Sequence, residues 1–361
     1  MHKRIARARH LLGEEKADAL FVWNSEGSGQ PATAWLTGFT GSASALLITR
    51  KEIFLITDGR YAEQSRKETT GSTVHIASGG MLALVAATLR EIGAHTILFD
   101  GWQTPYSAIE ELRKQRSDVA FSARKRLLQS LRVVKDTAEI ALLKKAAQIA
   151  CRAFTRLIPD VTAGMTEASV ASRLEALCRE EGAEGQAFPT IVASGANGAH
   201  PHARASSKEL RAGELVVIDF GVRYRGYVSD MTRTIAVGKI SPRLRRAYEA
   251  VRTAQARACR DARAGKRGSE LDMLCRSTLE KRKLGKFFTH ATGHGIGMEI
   301  HELPVISREQ DAELPAGAVI TVEPGVYIPN VGGVRIEDAL VLTKKGNINL
   351  SSGVTKEVIV V

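Results

Sequence analysis

The chain has 361 residues, a length that suits two domains better than one. It is 44% hydrophobic and 25% charged and has no apolar run long enough to span a bilayer, which excludes a disordered chain and a membrane-spanning one. The net charge of +12 would suit a basic nucleic-acid- or protein-binding protein. The lysines and arginines, however, alternate with Ala and Leu at helical spacing, and aromatic residues are only 5%, so the pattern favours solvated helix faces and argues against nucleic acid as a partner.

The first third of the chain alternates strand and helix patterns. Apolar residues at helical spacing in "MHKRIARARHLLGEEK" predict a first helix, rather than the Arg-rich presequence that this segment also resembles. Strands are predicted at 19–23, 45–50, 53–57 and "TILFD", with helices at "GRYAEQSRKETT", "MLALVAATLREIG" and "YSAIEELRKQR". We therefore predict a small α/β domain at residues 1–128. The charged stretch 122–136 is predicted to be a connector.

The remainder, residues 129–361, is predicted to form a second and larger domain. Helices are expected at 137–157, from Thr166 onward, and at about 241–263 and 268–283. Each helix pair is followed by strand-like segments that carry polar residues, so the domain repeats one layout twice. Between the pairs lies a Gly-rich loop, "SGANGAHPH", that contains two histidines.

Four acidic residues stand in or directly after apolar strand patterns of this second domain. Asp219 follows "LVVI", Asp230 follows a second strand-like stretch, Glu323 follows "AVITV", and Glu337 follows "GGVRI". Burying an unpaired carboxylate is costly, and Arg335 is the one obvious neighbouring cation in the sequence. We therefore predict that the four acids converge on metal. Their four negative charges balance two divalent cations, and oxygen-rich ligation favours Mn²⁺, with cobalt or zinc as alternatives.

Three histidines lie close together in "FFTHATGHGIGMEIHELP". His290 and His294 are four residues apart, the spacing of ligands on one helix face, but three interleaved glycines argue against a helix here. A loop or strand that presents single histidines, including His301, fits the glycines better. A lone histidine is more often structural than functional, but three within twelve residues indicate a site.

These motifs together resemble the pita-bread metallopeptidases, a family that includes methionine aminopeptidase, aminopeptidase P, prolidase and the metal-free creatinase. The matching segments are "DFG", "SDMTRT", "GHGIG", "HE", "EPGVY" and "VRIEDALVLT". The N-terminal segments "WLTGFTGSASALLIT" and "LITDGRYAEQS" resemble the first domain of aminopeptidase P and prolidase. The resemblance implies an α/β N-terminal domain followed by a pseudo-symmetric α+β domain with a curved antiparallel sheet. It also implies hydrolysis of Xaa-Pro bonds in peptides with proline second: an Xaa-Pro aminopeptidase, with a dipeptide-cleaving prolidase as the alternative.

The resemblance also implies the roles of the metal ligands. Asp219 would bind one ion, Asp230 and Glu337 would bridge two, and His294 and Glu323 would complete the second.

Other residues are implied to contact the substrate or support the site. His202 would lie beside the substrate, with His200 as a neighbour that could be mistaken for it. His301 would contact the scissile carbonyl or its oxyanion, and Glu323 would carry a proton to the prolyl nitrogen. Arg335 would stand behind the bridging acid, and His290 would lie near the substrate without an evident role.

Two further interpretations and two further expectations accompany this one. A binding protein on the same fold needs no ligand set, and a creatinase-like amidinohydrolase uses no metal, so the intact acids disfavour both. The resemblance implies a homodimer, in which Trp35 could reach the partner's site or else be an ordinary core or surface tryptophan. The four cysteines lack CxxC spacing, which predicts free thiols and a cytoplasmic location.

Overall fold

The computed structural model describes residues 2–361. The chain divides into two compact units, Met1–Leu131 and Arg132–Val361. The domain boundary between residues 128 and 129 that we drew from the sequence stays a prediction.

The first unit is built on one mixed sheet of six strands in the order β4-β3-β2-β1-β5-β6. β1 pairs antiparallel with β2 and β2 with β3, whereas the β3–β4, β1–β5 and β5–β6 pairs are parallel. The strands are β1 Ala19–Asn24, β2 Ser44–Thr49, β3 Ile53–Asp58, β4 Thr73–Ala77, β5 Thr96–Asp100 and β6 Ala120–Arg124. The helices are α1 His2–Glu14, α2 Ala32–Thr37, α3 Ala62–Glu68, α4 Met81–Glu91, α5 Tyr106–Gln115 and α6 Leu127–Arg132.

Both faces of this sheet are buried, which explains the nearly continuous apolar strands. On one face, Phe21 and Leu47 pack with Leu89 of α4 and Leu112 of α5. On the other, α1 and α2 contact β1 and β2. Trp35 of α2 is 2% exposed and lies under the Arg4 guanidinium, so the core alternative for this tryptophan is the one observed.

The boundary between the two units falls within the stretch 122–136, which we predicted to be a connector. This stretch is more regular than a linker, since it contains the end of β6 and the whole of α6. The Asp100 carboxylate accepts a hydrogen bond from the Leu128 N–H, which ties the start of α6 to the sheet. The sequence pattern did not indicate α6, because this helix is short and surrounded by charged residues.

The second unit contains thirteen strands and four helices among the described residues. Its strands are β7 Gly185–Gln186, β8 Ile191–Ser194, β9 Leu215–Phe220, β10 Val222–Tyr224, β11 Tyr227–Val228, β12 Met231–Ala236, β13 Gly293–Gly295, β14 Glu302–Ile306, β15 Val319–Val322, β16 Gly325–Ile328, β17 Gly332–Arg335, β18 Asp338–Thr343 and β19 Gly346–Asn349. Its helices are α7 Thr137–Leu157, α8 Glu167–Glu180, α9 Pro242–Asp261 and α10 Gly268–Lys281. All strand pairs in this unit are antiparallel.

The second unit repeats one arrangement twice, as the sequence predicted. The sheet β8-β9-β12 shares a hydrophobic core with α7 and α8, where Phe154 stacks on Phe220. The sheet β14-β13-β15-β18-β19 shares a second core with α9 and α10, to which Leu271 and Ile320 belong. Burial of apolar surface on one face of each sheet leaves the polar residues at the strand ends free to meet on the other side.

The described part of the chain has no helix long and apolar enough to cross a membrane. The four cysteines are free thiols, of which Cys259 is partly exposed and the others are buried. The homodimer and the cytoplasmic location stay predictions.

Candidate metal centre

The two aspartates are brought together by one antiparallel strand pair. Asp219 lies near the end of β9 and is paired with Thr232 of β12, and Asp230 directly precedes β12. The second strand therefore returns Asp230 to the same end of the sheet as Asp219. This pairing is the structural reason for two acids eleven positions apart in the sequence.

Glu337 reaches the same place from the linker between β17 and β18. Its backbone N–H donates to the Thr232 carbonyl at 3.1 Å, and its carboxylate accepts from the Thr232 hydroxyl at 2.7 Å. The neighbouring Asp338 is also buried, but it pairs with Arg233 and not with the cluster. Two adjacent acids thus have different partners.

His294 and Glu323 come from the other half of the unit. His294 is in β13, between β14 and β15, where a Cβ on Gly293 would collide with the Thr321 carbonyl. The Thr321 hydroxyl accepts from the His294 N–H at 3.0 Å and donates to Glu323 at 3.1 Å, so it orients both residues. The glycine that made a helix improbable is thus needed for close strand packing.

The ligand atoms of three of these residues converge. One ligand atom each from Asp230, His294 and Glu337 lie within 4.8 Å of one another. His294 Nε2 is 3.6 Å from an oxygen of Asp230 and 3.2 Å from an oxygen of Glu323. His294 Nδ1 lies 3.1 Å from the Gly295 carbonyl, which places the proton on Nδ1 and leaves Nε2 available as a ligand.

We call Asp219, Asp230, His294, Glu323 and Glu337 the cluster; its four acidic side chains lie close together in a site with little access to water. Burial, together with the charges of Glu337 and Asp219, raises the pKa of Asp230 well above its usual value. Burial and the charges of Glu323 and Asp219 do the same to the pKa of Glu337. A group of acids that repel one another in a buried site has its ionised form stabilised by bound cations.

Unsatisfied oxygen atoms point to the same conclusion. One oxygen each of Asp219 and Glu337 is fully buried and has no hydrogen-bond partner within residues 2–361. Buried polar atoms almost always have a partner, so such an orphan needs an explanation. Carboxylate oxygens with one imidazole nitrogen are the donor set of a divalent metal site, and the residues present fit one.

Arg335 lies behind the acids of the site and is 3% exposed. It pairs directly with Asp219 and reaches Glu337 through the Thr232 hydroxyl, and its role behind the bridging acid stays a prediction. Its Nε donates to the Thr232 hydroxyl at 3.1 Å, and one Nη donates to the Tyr327 hydroxyl at 2.7 Å. The β16–β17 hairpin directs Arg335 toward β9, and Glu337 follows in the linker between β17 and β18, where it contacts Thr232 of β12.

The other three histidines predicted for the site differ in burial and in the groups they contact. His290 is partly buried, with Nε2 2.9 Å from the Tyr327 hydroxyl and Nδ1 2.7 Å from the Ala291 carbonyl. The His301 ring is exposed and meets the His294 ring edge-on at 4.4 Å. His202 is also exposed. Burial lowers the pKa of His290, and burial together with the neighbouring His294 lowers the pKa of His301.

Several supporting residues were missed at the sequence level. Thr232, Thr321 and Tyr327 each contact an acid, a histidine or Arg335 of the cluster. Both threonines lie in strands that are buried along their whole length, where a polar residue is unexpected, and that was the available signal. Tyr327 lies four residues after Glu323, but its role depends on the β16–β17 hairpin, which the sequence did not specify.

Comparison with known families supports the architecture. Residues 141–344 match metallopeptidase family M24, and residues 4–134 match the creatinase/prolidase N-terminal domain. The match extends over both units, and it bears out the two-domain α/β architecture that we predicted.

Relatives of known name cover nearly the whole chain. The Xaa-Pro dipeptidase of Pyrococcus horikoshii is 34% identical over 352 residues, 97% of each chain. A solved Xaa-Pro dipeptidase from Bacillus anthracis has 38% identity and a TM-score of 0.96, and the match covers 100% of this chain and 99% of that one. A solved X-Pro aminopeptidase from Thermotoga maritima has 38% identity and a TM-score of 0.91, with 98% and 100% covered.

Proposed function

The chain belongs to metallopeptidase family M24, and from that membership we propose that it hydrolyses Xaa-Pro dipeptides. The observation that carries the proposal is the similarity along the whole chain to proteins that are mostly named Xaa-Pro dipeptidase or prolidase. The sequence motifs of the first unit led us to favour an Xaa-Pro aminopeptidase, with prolidase as the alternative. The relatives favour that alternative, although the Thermotoga maritima aminopeptidase is as similar in sequence as the Bacillus anthracis dipeptidase.

We assign the metal to the five residues of the cluster. Asp219, Asp230, His294, Glu323 and Glu337 would hold two divalent ions, with manganese favoured over cobalt or zinc by the oxygen-rich donor set. When bound, such ions supply the acidification of a water molecule and the polarisation of a carbonyl oxygen.

The chain's own groups would then position the substrate and move the proton. The Xaa-Pro amide has no N–H, so recognition cannot depend on a donor there. Asp219, a buried carboxylate held by Arg335, offers a negative charge to the substrate's free amino group. Glu323, beside His294, is placed to accept a proton from water and deliver it to the prolyl nitrogen.

The exposed imidazoles of His202 and His301 complete the proposed substrate site. His301 lies against His294 and would donate a hydrogen bond to the oxyanion that forms on the scissile carbonyl. In an Xaa-Pro dipeptide, the proline that follows the scissile bond carries the free C-terminal carboxylate. Arg335 is already engaged by Asp219 and Tyr327, so we assign these two exposed histidines as the groups that contact that carboxylate.

Substrate length tests the proposal. The Mn²⁺-loaded protein should cleave Ala-Pro with a higher kcat/KM than Ala-Pro-Ala, because the free prolyl carboxylate pairs with the histidines only in the dipeptide. Initial rates of alanine release measure both, with Ala-Ala as the control for proline dependence. Faster cleavage of the tripeptide would restore the aminopeptidase interpretation, and no cleavage of either Xaa-Pro peptide would remove the proposed function altogether.

A further inference from the structure

Glu167, outside the metal cluster, is one of the most heavily hydrogen-bonded carboxylates of the second unit. It is fully buried at the start of α8. One carboxylate oxygen accepts from the Ser194 N–H at 2.7 Å and the Ser194 hydroxyl at 2.8 Å. The other accepts from the Ser206 N–H at 3.2 Å and the Ser206 hydroxyl at 2.6 Å, and Asn197 donates to both. Burial alone would raise the pKa of Glu167, but these donors together lower it, so the group is a carboxylate.

The partners of Glu167 are the two ends of one irregular segment. Residues 194–206 leave β8, pass through a short 3-10 turn at Gly195–Ala199, and carry His200 and His202. No strand pairing holds the part of this segment that follows the turn. One side chain therefore ties the beginning, the middle and the end of the loop to the N-terminus of α8.

The same segment also contacts Arg335 and strand β17, next to the metal cluster. The Pro201 carbonyl accepts from Arg335 at 3.2 Å, and Arg335 holds Asp219. A Cβ on Gly333 would collide with the Gly198 carbonyl, so β17 and the turn are in direct backbone contact. The loop is thus clamped between Glu167 on one side and Arg335 on the other, and His202 follows the clamped Pro201.

We propose that Glu167 is a positioning residue that fixes the 194–206 loop and thereby holds His202 at the substrate. This inference rests on the proposed function, in which His202 contacts the peptide. Glu167 itself would touch neither substrate nor metal, and its effect on catalysis would pass through His202.

The Glu167→Gln substitution tests the contacts with the loop directly, because each carboxylate oxygen accepts a hydrogen bond from a backbone N–H. A serine hydroxyl can rotate to accept from an amide, but the N–H groups of Ser194 and Ser206 cannot. Either orientation of the glutamine therefore sets its NH₂ against one of these N–H groups. The loop must release one end, while the shape of the side chain and the metal ligands are unchanged.

The test is a double-mutant cycle on the metal-loaded enzyme with Ala-Pro as substrate. Glu167→Gln alone is expected to lower kcat/KM by about 10–100-fold, the range for residues that orient a functional group from behind. In a His202→Ala background the same change should lower it by less than about threefold, since the group it positions is already gone. Metal content should stay at the wild-type value. Equal losses in both backgrounds would overturn the inference.

A matched control and a milder variant guard against a general loss of stability. Glu139 is also buried, and it accepts from the Tyr227 hydroxyl at 3.0 Å and from the Asp136 N–H at 2.9 Å, so Glu139→Gln should show no coupling to His202. Ser206→Ala removes one donor to Glu167 and should give a smaller loss with the same non-additivity. If Glu167→Gln does not fold, Ser206→Ala alone tests the proposal. An equal loss of kcat/KM from Ser206→Ala in the wild-type and His202→Ala backgrounds would then reject it.

A second measurement does not depend on catalysis. Hydrogen exchange in residues 194–206 should be faster in Glu167→Gln than in the wild type, and unchanged in His202→Ala. Unchanged protection in Glu167→Gln would contradict the positioning role. If the wild-type protein cleaves no Xaa-Pro peptide, but the loop still exchanges faster in Glu167→Gln than in the wild type, the proposed function is refuted and the role of Glu167 in the loop stands.

Discussion

Replacing Asp230 with asparagine is expected to cost the protein its metal and nearly all its activity. The change removes one of four buried negative charges and puts an amide NH₂, which cannot ligate, near His294 Nε2 and Glu337. We expect kcat/KM on Ala-Pro to fall by about 10³-fold or more, equivalent to roughly 4 kcal/mol of transition-state stabilisation. Elemental analysis after dialysis, beside the kinetics, should show reduced metal per chain.

Asp338→Asn is the matched control. It is the same substitution at another buried carboxylate, but Asp338 pairs with Arg233 and Lys356 and not with the cluster. This variant should lose stability, because two buried or partly buried cations lose their partner, and keep its metal. If Asp230→Asn retained metal and activity while Asp338→Asn lost them, our assignment of ligands would be wrong.

His202→Ala should have the opposite profile: normal metal content and a large loss of rate. His202 is exposed and contributes no atom to the ligand cluster. If it helps to position the substrate or to stabilise the transition state, kcat/KM should fall by about 10²–10⁴-fold. Metal content and the unfolding temperature should match the wild type.

His200→Ala controls for the loop itself. His200 is exposed, lies two residues before His202, and makes only backbone hydrogen bonds in the loop. Its removal should change kcat/KM by less than about threefold. Loss of metal in His202→Ala, or a larger effect at His200, would show that we placed the wrong histidine at the substrate.

The sequence predicted the elements that bring the acids together. An acid after an unbroken apolar strand has few explanations, and the structure places Asp219 on β9 and Asp230 directly before its partner strand β12, at one sheet end. The helix at Thr137–Leu157 has the predicted bounds because Asp136 and Glu139 form a capping box at its start. Local signals of this kind depend on neighbouring residues and survive in a single sequence.

Long-range partners could not be predicted in the same way. Arg335 pairs with Asp219, 116 residues away in the sequence, because the β16–β17 hairpin directs it there. Glu167 is an acid in the first turn of a helix, a common position for one, and its contacts depend on a loop that has no periodic pattern. Substrate length depends on exposed groups whose placement the motifs do not encode.

Metal removal and return in the wild-type protein tests the central claim most directly, namely that the five-residue cluster is a metal centre for Xaa-Pro hydrolysis. Chelator-treated protein should cleave no Ala-Pro, and stepwise addition of Mn²⁺ should restore cleavage in proportion to bound metal, ending at two ions per chain. The bound metal should also raise the unfolding temperature, since it binds only the folded state. Full Ala-Pro cleavage by metal-free protein, or binding of two ions without any cleavage, would contradict it.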